Sequence, residues 1–226
     1  VYCNGAEVCR HACGYTAFTA ELTEHLHFGA ENLICVRLDS RESLDQPPFG
    51  NVIDYLTYGG IYRAMTLEVT EVSRISDLFI HAKHTGETAM QITVENPGDL
   101  RLSGELRAPD GKLLGRLEGR ADHRDYKITI PNPPVWGLEN PKLCTFTLRL
   151  LEGGRVVDER ETRFGFRTVD FRADGLYLNE TRIQLRGLNR HQCWPYLGYA
   201  VPDRAQALDA DILKFELGCN VVRTSH

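Results

Sequence analysis

Apolar and polar residues alternate along much of this chain. Met65, Leu67 and Val69 occupy every second position, as do Leu78, Ile80 and Ala82; Met90, Ile92 and Val94; Tyr126, Ile128 and Ile130; and Phe146, Leu148 and Leu150. A period of two puts one set of side chains on a buried face and the other in water, so these runs predict strands of an antiparallel sandwich. Turn residues separate them at Asn4-Gly5, Pro97-Gly98, Asp110-Gly111 and Gly153-Gly154. The stretch from Ser40 to Gly60, with Pro47, Pro48, Gly50, Gly59 and Gly60, breaks the alternation and reads as a long loop. Long loops on a sandwich are where binding residues often sit. A boundary near residue 70 leaves a second sandwich over about 72–167, close to the size of an immunoglobulin-like domain.

After Phe166 the pattern changes. Leu176-Tyr177-Leu178 and Ile183-Gln184-Leu185 flank a turn at Asn179-Glu180 and predict a short hairpin. A polar and aromatic loop runs from Gly187 to Val201, and a helix follows from Pro202 to Leu217. Pro202 suits the first helical turn, where its missing N–H costs nothing. Asp203 favours the positive end of the helix dipole. Leu208, Ile212 and Phe215 make one apolar stripe, and Gly218 fits the left-handed position that ends a helix. Asn220-Val221-Val222-Arg223 reads as a second, buried strand. Strand, helix and strand together predict a βαβ unit, the element of parallel sheets and barrels. A barrel left unfinished at the second strand exposes Leu208, Ile212, Phe215, Val221 and Val222 as a surface prone to association.

Composition narrows the class. The chain has 226 residues, 42% hydrophobic and 25% charged, which fits a globular protein and excludes a fibre, a coiled-coil rod or a long disordered tail. No stretch approaches the roughly 18 apolar residues of a membrane helix. Lys and Arg total 26 against 31 Asp and Glu, a net charge of −5, which favours neither nucleic acid nor an anionic membrane as a partner. Val1-Tyr2-Cys3 without Met, and Arg223-Thr224-Ser225-His226 straight after an apolar pair, read as cuts through structured elements of a longer protein. The cysteines at 3, 9, 13, 35, 144, 193 and 219 are odd in number and irregular in spacing, which fits reduced thiols. Reduced thiols favour the cytoplasm, although the missing N-terminus leaves localisation open. Cys9, His11 and Cys13 share one face of an expected strand, but no second ligand pair follows, and zinc normally takes four ligands.

Three places could carry chemistry. The run Arg186 to Tyr199 holds Asn189, Arg190, His191, Gln192, Trp194, Tyr196 and Tyr199 after the end of an expected strand. In a (β/α) barrel that end is the active-site face. Asn, Arg, His and Gln exchange hydrogen bonds with hydroxyls, and the aromatic rings offer flat apolar faces with a polar tip. The same run also reads as a structural polar loop. Asn220, Arg223, Ser225 and His226 end the second strand; Arg223 could hold a carboxylate ionised or pair with a neighbouring acid for stability alone. Asp54, among Val52, Ile53 and Leu56, needs a partner because an unpaired buried carboxylate is costly; capping a turn would serve equally well. No phosphate loop, nucleophile-elbow serine or thiol redox pair is present, and no pair of catalytic carboxylates can be picked out.

These residues resemble glycoside hydrolase family 2, and within it most closely the β-galactosidases. Val1 to Gly5 with Gly14-Tyr15-Thr16 resembles the end of that family's jelly-roll sugar-binding domain, and Asp54 to Arg63 its closing segment. Pro134 to Pro141 resembles the late loop of its immunoglobulin-like domain, with Gly137 and Leu138 departing from the usual residues. Arg186 to Tyr199 resembles the loop after the first barrel strand, and Asn220 to His226 the second-strand signature. The resemblance implies a mainly β chain: residues 1–70 from the jelly roll, 71–167 immunoglobulin-like, and 168–226 the start of a (β/α)8 TIM barrel.

It further implies retaining hydrolysis of terminal β-D-galactosides by two glutamates about 5 Å apart, both beyond this chain, so that the chain alone is inactive. His191 and His226 match histidines that contact sugar hydroxyls, Arg223 an arginine that orients the nucleophile, and Asp54 an aspartate that reaches the sugar or a monovalent cation. Asn189 and Trp194 are further candidates, and Gln192 stands where a glutamate is common. Mg²⁺ and Na⁺ belong to the whole enzyme, and a homo-oligomer is in keeping with the family. The other readings are a β-glucuronidase or another β-glycosidase on the same scaffold, and a non-catalytic carbohydrate-binding β-sandwich protein.

Overall fold

The computed structural model describes residues 1–47, 49–50 and 56–224, and these are mainly β. Asp54, Ser225 and His226 lie outside the described residues. The chain divides into two compact units: Val1–Thr66 together with Gly187–His226, and Leu67–Arg186. All seven cysteines are free thiols.

The first unit begins with β1 (Tyr2–Cys3) and β2 (Ala6–Glu7), and β3 (Ile34–Cys35) pairs on the other side of β1. Asn4 and Gly5 join β1 to β2 with φ of 50° and 88°, the left-handed pair that a tight hairpin needs. The Asn4 side chain then ties this hairpin down. Its amide donates to the His25 carbonyl and to Asn32 Oδ1, both at 2.8 Å, and its oxygen accepts the Leu33 N–H at 2.9 Å. Residues 8–13 form no strand, so Cys9, His11 and Cys13 share no strand face. The His11 ring stacks on Phe18 at 4.6 Å and bonds Thr16 Oγ1 at 2.8 Å. Met65, Leu67 and Val69, expected as a strand, lie in irregular chain and are exposed. Alternation becomes a strand only beside a ladder partner, and none of the described residues supplies one there.

The second unit does bury its alternating faces. Its strands are β4 (Arg74–Ala82), β5 (Glu87–Glu95), β6 (Arg101–Arg107), β7 (Leu113–Arg120), β8 (Asp125–Thr129), β9 (Cys144–Glu152) and β10 (Arg155–Phe164). They form two antiparallel sheets, in the orders β4-β5-β8 and β10-β9-β6-β7. Met90, Ile92, Leu102, Leu106, Phe146, Leu148 and Leu150 are buried in one shared core. Gly104 makes room for Phe146: a Cβ there would sit 2.5 Å from the ring. Bulges interrupt β4 between Ile75 and Asp77 and β10 between Val156 and Asp158. At these bulges the sheets are stitched together. Asp158 accepts the Ile75 N–H at 2.7 Å, and Arg160 donates to the Ile75 and Ser76 carbonyls at 3.2 and 2.8 Å.

A small sheet completes this unit: β11 (Val169–Arg172), β12 (Gly175–Leu178) and β13 (Thr181–Ile183). The expected hairpin is present and gains β11 as a third strand, but it ends at Ile183, leaving Gln184 and Leu185 outside. Asn179 and Glu180 form its turn with φ of 50° and 65°. The Asn179 side chain accepts the Thr168 N–H at 2.9 Å and donates to the Trp136 carbonyl at 2.8 Å. Trp136 packs against Gly165 and carries Arg167 over its ring at 4.8 Å.

The chain then returns to the first unit with β14 (Gly187–Arg190), the helix α1 (Asp203–Asp211) and β15 (Val221–Thr224). β14 pairs parallel to β15, so the βαβ unit exists, but its first strand lies within the run expected to be loop. Pro202 stands just before the helix in extended conformation, one place earlier than expected, and its carbonyl accepts the N–H groups of Ala205 and Gln206. The helix widens into a π turn over Ile212–Glu216, closed by Leu217 N–H to the Ile212 carbonyl at 3.0 Å. The extra residue breaks the 3.6-residue register. Phe215 is 77% exposed, Ile212 is half-buried, and Ala205 is the buried residue of α1. Gly218 takes the expected left-handed conformation at φ 66°. β15, expected to be buried, is exposed throughout, as are Leu208 and Phe215, whereas Ile212, expected to be exposed with them, is half-buried.

Candidate functional site

The register of the parallel pair organises the site. Gly187 lies beside Val221, Leu188 beside Val222, Asn189 beside Arg223 and Arg190 beside Thr224. Successive strand residues point to opposite faces, so Asn189 and Arg223 share one face and Arg190 and Thr224 the other. Arg190 identifies the helix side. Its Nε and Nη2 donate to one carboxylate oxygen of Asp209 on α1, at 2.8 and 2.5 Å, and Nη1 reaches Gln206 Oε1 at 3.4 Å. Asn189 and Arg223 therefore stand together on the face turned away from α1. Gly187 permits the close approach of the strands, since a Cβ there would strike the Val221 carbonyl oxygen.

The Arg190–Asp209 pair is well shielded, with side chains 16% and 22% exposed. The indole N–H of Trp194 reaches the same Asp209 oxygen at 3.4 Å. Removing Arg190 leaves a half-buried carboxylate without its charged donor, which costs roughly 1–3 kcal/mol. Arg190→Ala is expected to lower thermal stability accordingly. Arg190→Ala with Asp209→Ala together should cost clearly less than the sum of the two, as a double-mutant melting series reads directly.

Past Arg190 the chain turns at His191. The Cys193 N–H bonds back to the His191 carbonyl at 2.9 Å. Trp194 and Gly198 then exchange backbone bonds at 3.1 and 3.0 Å, closing a tight turn with Tyr196 and Gly198 at φ of 67° and 56°. Tyr196 projects fully into solvent and Tyr199 is buried. Tyr199 meets Tyr58 at 4.8 Å and Tyr62 at 5.6 Å between ring centres, both edge to face. Arg63 donates to the Tyr199 carbonyl and lies over the Tyr62 ring at 5.2 Å. The Tyr58 hydroxyl sits 3.2 Å from Cys193 Sγ. That hydrogen bond, with some shielding from water, holds the Tyr58 phenol above its ordinary pKa.

The structure therefore brings Asn189 and Arg223 side by side and places His191 at the end of β14, with an exposed side chain. Trp194 faces α1. Asp54 and His226, the other expected sugar contacts, fall outside the described residues. The seating of Tyr58, Tyr62 and Arg63 on the 193–199 turn escaped sequence reasoning. Tyr58 and Cys193 are 135 positions apart, and no spacing rule connects them; the available hint was glycine at 198 beside two tyrosines. Chemically, Asn189, His191 and Arg223 can orient hydroxyls or hold a carboxylate. Asp209 is already engaged by Arg190 and Trp194. Among the described residues no group of three or more His, Cys, Asp or Glu could hold a metal ion.

Residues 73–167 match the family described as Glycosyl hydrolases family 2. The whole chain aligns with a β-galactosidase of Thermoanaerobacter pseudethanolicus at 37% identity, covering 32% of that protein. Among solved structures it superposes on a glycosyl hydrolase family 2 member from Bacteroides cellulosilyticus with a TM-score of 0.88 and 28% identity, over 100% of this chain and 32% of that one. It also superposes on a Bacteroides uniformis β-glucuronidase with a TM-score of 0.83 and 28% identity, over 100% and 29%. The chain spans about a third of the length of the relatives it matches. Family match, full-length alignment and superposition agree, and the chain belongs to glycosyl hydrolases family 2.

Proposed function

We propose that this chain is the N-terminal and central portion of a retaining β-glycosidase, with a terminal β-D-galactoside as its substrate. The carrying observation is the parallel pair β14–β15, which sets Asn189 beside Arg223 and delivers His191 at the strand end. In this reading residues 1–70 close a jelly-roll sugar-binding domain and 71–167 are immunoglobulin-like, in keeping with seven strands in two sheets. Residues 168–226 open a (β/α)8 barrel, whose strand ends face the substrate.

His191 and His226 bind sugar hydroxyls, and Asn189 is a further contact. Arg223 orients the nucleophilic glutamate, and its fixed fork favours the ionised carboxylate. Trp194 holds the loop to α1 rather than offering its N–H to the sugar. Asp54 reaches the sugar or a monovalent cation. The acid and the nucleophile are glutamates of the remaining chain, working by double displacement. Mg²⁺ and Na⁺ belong to that whole enzyme. Among the described residues no group of three or more His, Cys, Asp or Glu stands ready for either ion.

A β-glucuronidase is the second reading, favoured by the superposition on the Bacteroides uniformis enzyme. One comparison separates the two. The whole protein is expected to hydrolyse a nitrophenyl β-D-galactoside with retention of configuration, and its kcat/KM to exceed that for the β-D-glucuronide by at least about tenfold, because a sugar carboxylate without a charged partner is poorly held. Preference for the glucuronide would establish the second reading, and failure on every β-glycoside would favour a binding protein.

A further inference from the structure

We propose that Tyr58 is a positioning residue for the loop that carries His191, a role that rests on the sugar-site reading above. Three observations converge on it. The Tyr58 ring lies across Gly198: a Cβ at 198 would fall 2.7 Å from the ring, so glycine leaves the seat open. The same ring packs edge to face on buried Tyr199 at 4.8 Å. Its hydroxyl meets Cys193 Sγ at 3.2 Å. Tyr58 thus grips both ends of the 193–199 turn at once.

The grip reaches the site through a short path. Cys193 N–H is bonded to the His191 carbonyl at 2.9 Å, so the position of Cys193 sets where His191 leaves β14. Arg63, five residues beyond Tyr58, fixes the far end by donating to the Tyr199 carbonyl. On the other side Trp194 is held to Asp209. The loop is therefore clamped between the 58–63 segment and α1, and Tyr58 is the clamp's contact nearest His191. A small displacement of a substrate-contacting group is enough to reduce turnover by orders of magnitude. Tyr58 acts through His191 and touches no reacting atom.

The test uses the whole enzyme. Tyr58→Ala is expected to lower kcat for the galactoside about tenfold with a smaller change in KM, since a displaced His191 weakens contacts that tighten in the transition state. Tyr58→Phe keeps the ring seat and should retain at least about a third of wild-type kcat. Cys193→Ser, which preserves a hydrogen-bonding partner, should exceed Cys193→Ala in kcat. A second readout needs no activity: site-resolved alkylation of Cys193, followed by mass spectrometry, should be several-fold faster in Tyr58→Ala than in the native protein. Native turnover with Tyr58→Ala unchanged within twofold overturns the positioning role and leaves the glycosidase reading intact. No turnover by the native protein overturns the glycosidase reading, and the positioning role with it.

Discussion

Gly86→Ala is expected to lower the melting temperature by about 10 °C, whereas Gly111→Ala should lower it by at most about 4 °C. The two glycines occupy the same local structure. In each hairpin the residue three places before the glycine accepts its N–H, from Gly86 to Lys83 and from Gly111 to Ala108, both at 2.9 Å. In each, that same residue donates to the one following the glycine, Lys83 to Glu87 and Ala108 to Lys112, both at 2.8 Å. Both glycines are left-handed, with φ of 97° and 85°. Alanine therefore meets the same backbone penalty of about 1–2 kcal/mol at either site, partly offset by stiffening the unfolded chain.

The surroundings differ. Gly111 has nothing within 4 Å of its missing Cβ, while at Gly86 that atom would drive into the carbonyl oxygen of Ile130. Ile130 cannot retreat easily, because its N–H is bonded to the Gly86 carbonyl at 3.0 Å and its side chain is in the core. Overpacking against backbone adds about 1–3 kcal/mol. Thermal melts of the two variants decide the matter. Equal shifts would show that only φ counts and that Gly86 is not a contact between β8 and the β4–β5 turn.

The contrast between these glycines also marks what could be read from sequence. Asp110-Gly111 was legible as a turn because its chemistry is local. The crowding at Gly86 was not, because the obstructing residue, Ile130, lies 44 positions away, just past the end of β8. The same division runs through the molecule. Met90, Ile92, Phe146, Leu148 and Leu150 announced themselves by alternation because the sandwich buries one face of every strand against its own second sheet. Met65, Leu67 and Val69 carry the same pattern and form no strand, since alternation records a preference and a ladder requires a partner.

β14 had the opposite problem. Gly187-Leu188-Asn189-Arg190 has one apolar residue in four, so no periodicity signals it, and its pairing is set by its neighbour β15. The helix was legible from Asp203 and Gly218, but not the π turn that displaces Phe215, which has no composition of its own. At the site, Asn189, His191 and Arg223 stood out as residue types suited to a polyhydroxylated ligand. The commitment of Arg190 and Trp194 to Asp209 could not, because sequence alone does not distinguish Asp209 from Asp203 or Asp211 as the partner. Gly187 combines both difficulties, and the largest functional effect is expected there.

Gly187→Val should reduce the activity of the whole enzyme by more than about a hundredfold while leaving the Leu67–Arg186 unit folded. The reasoning starts from one atom. A Cβ on Gly187 would overlap the carbonyl oxygen of Val221, with the Val221 side chain close behind. Backbone atoms cannot rotate away as a side-chain tip does, so β14 and β15 must separate or slip. Glycine within a strand commonly marks such an approach. A slip of one residue would place Asn189 opposite Val222 or Thr224 instead of Arg223, and on the opposite face from its present partner. Simple separation moves Arg223 away from Asn189 and His191 by the thickness of the inserted group.

Either outcome removes the arrangement on which the sugar-site reading rests. Leu188→Val is the control: it adds the same branched side chain one residue later, at an exposed position on the other face, where a strand accepts it readily. Leu188→Val is expected to stay within about threefold of native kcat. Circular dichroism and proteolysis of both variants separate misfolding of the sandwich from loss of the parallel pair. If Gly187→Val keeps full activity with the sandwich intact, then the β14–β15 register does not set the site, and Arg223 must act from a position independent of Asn189.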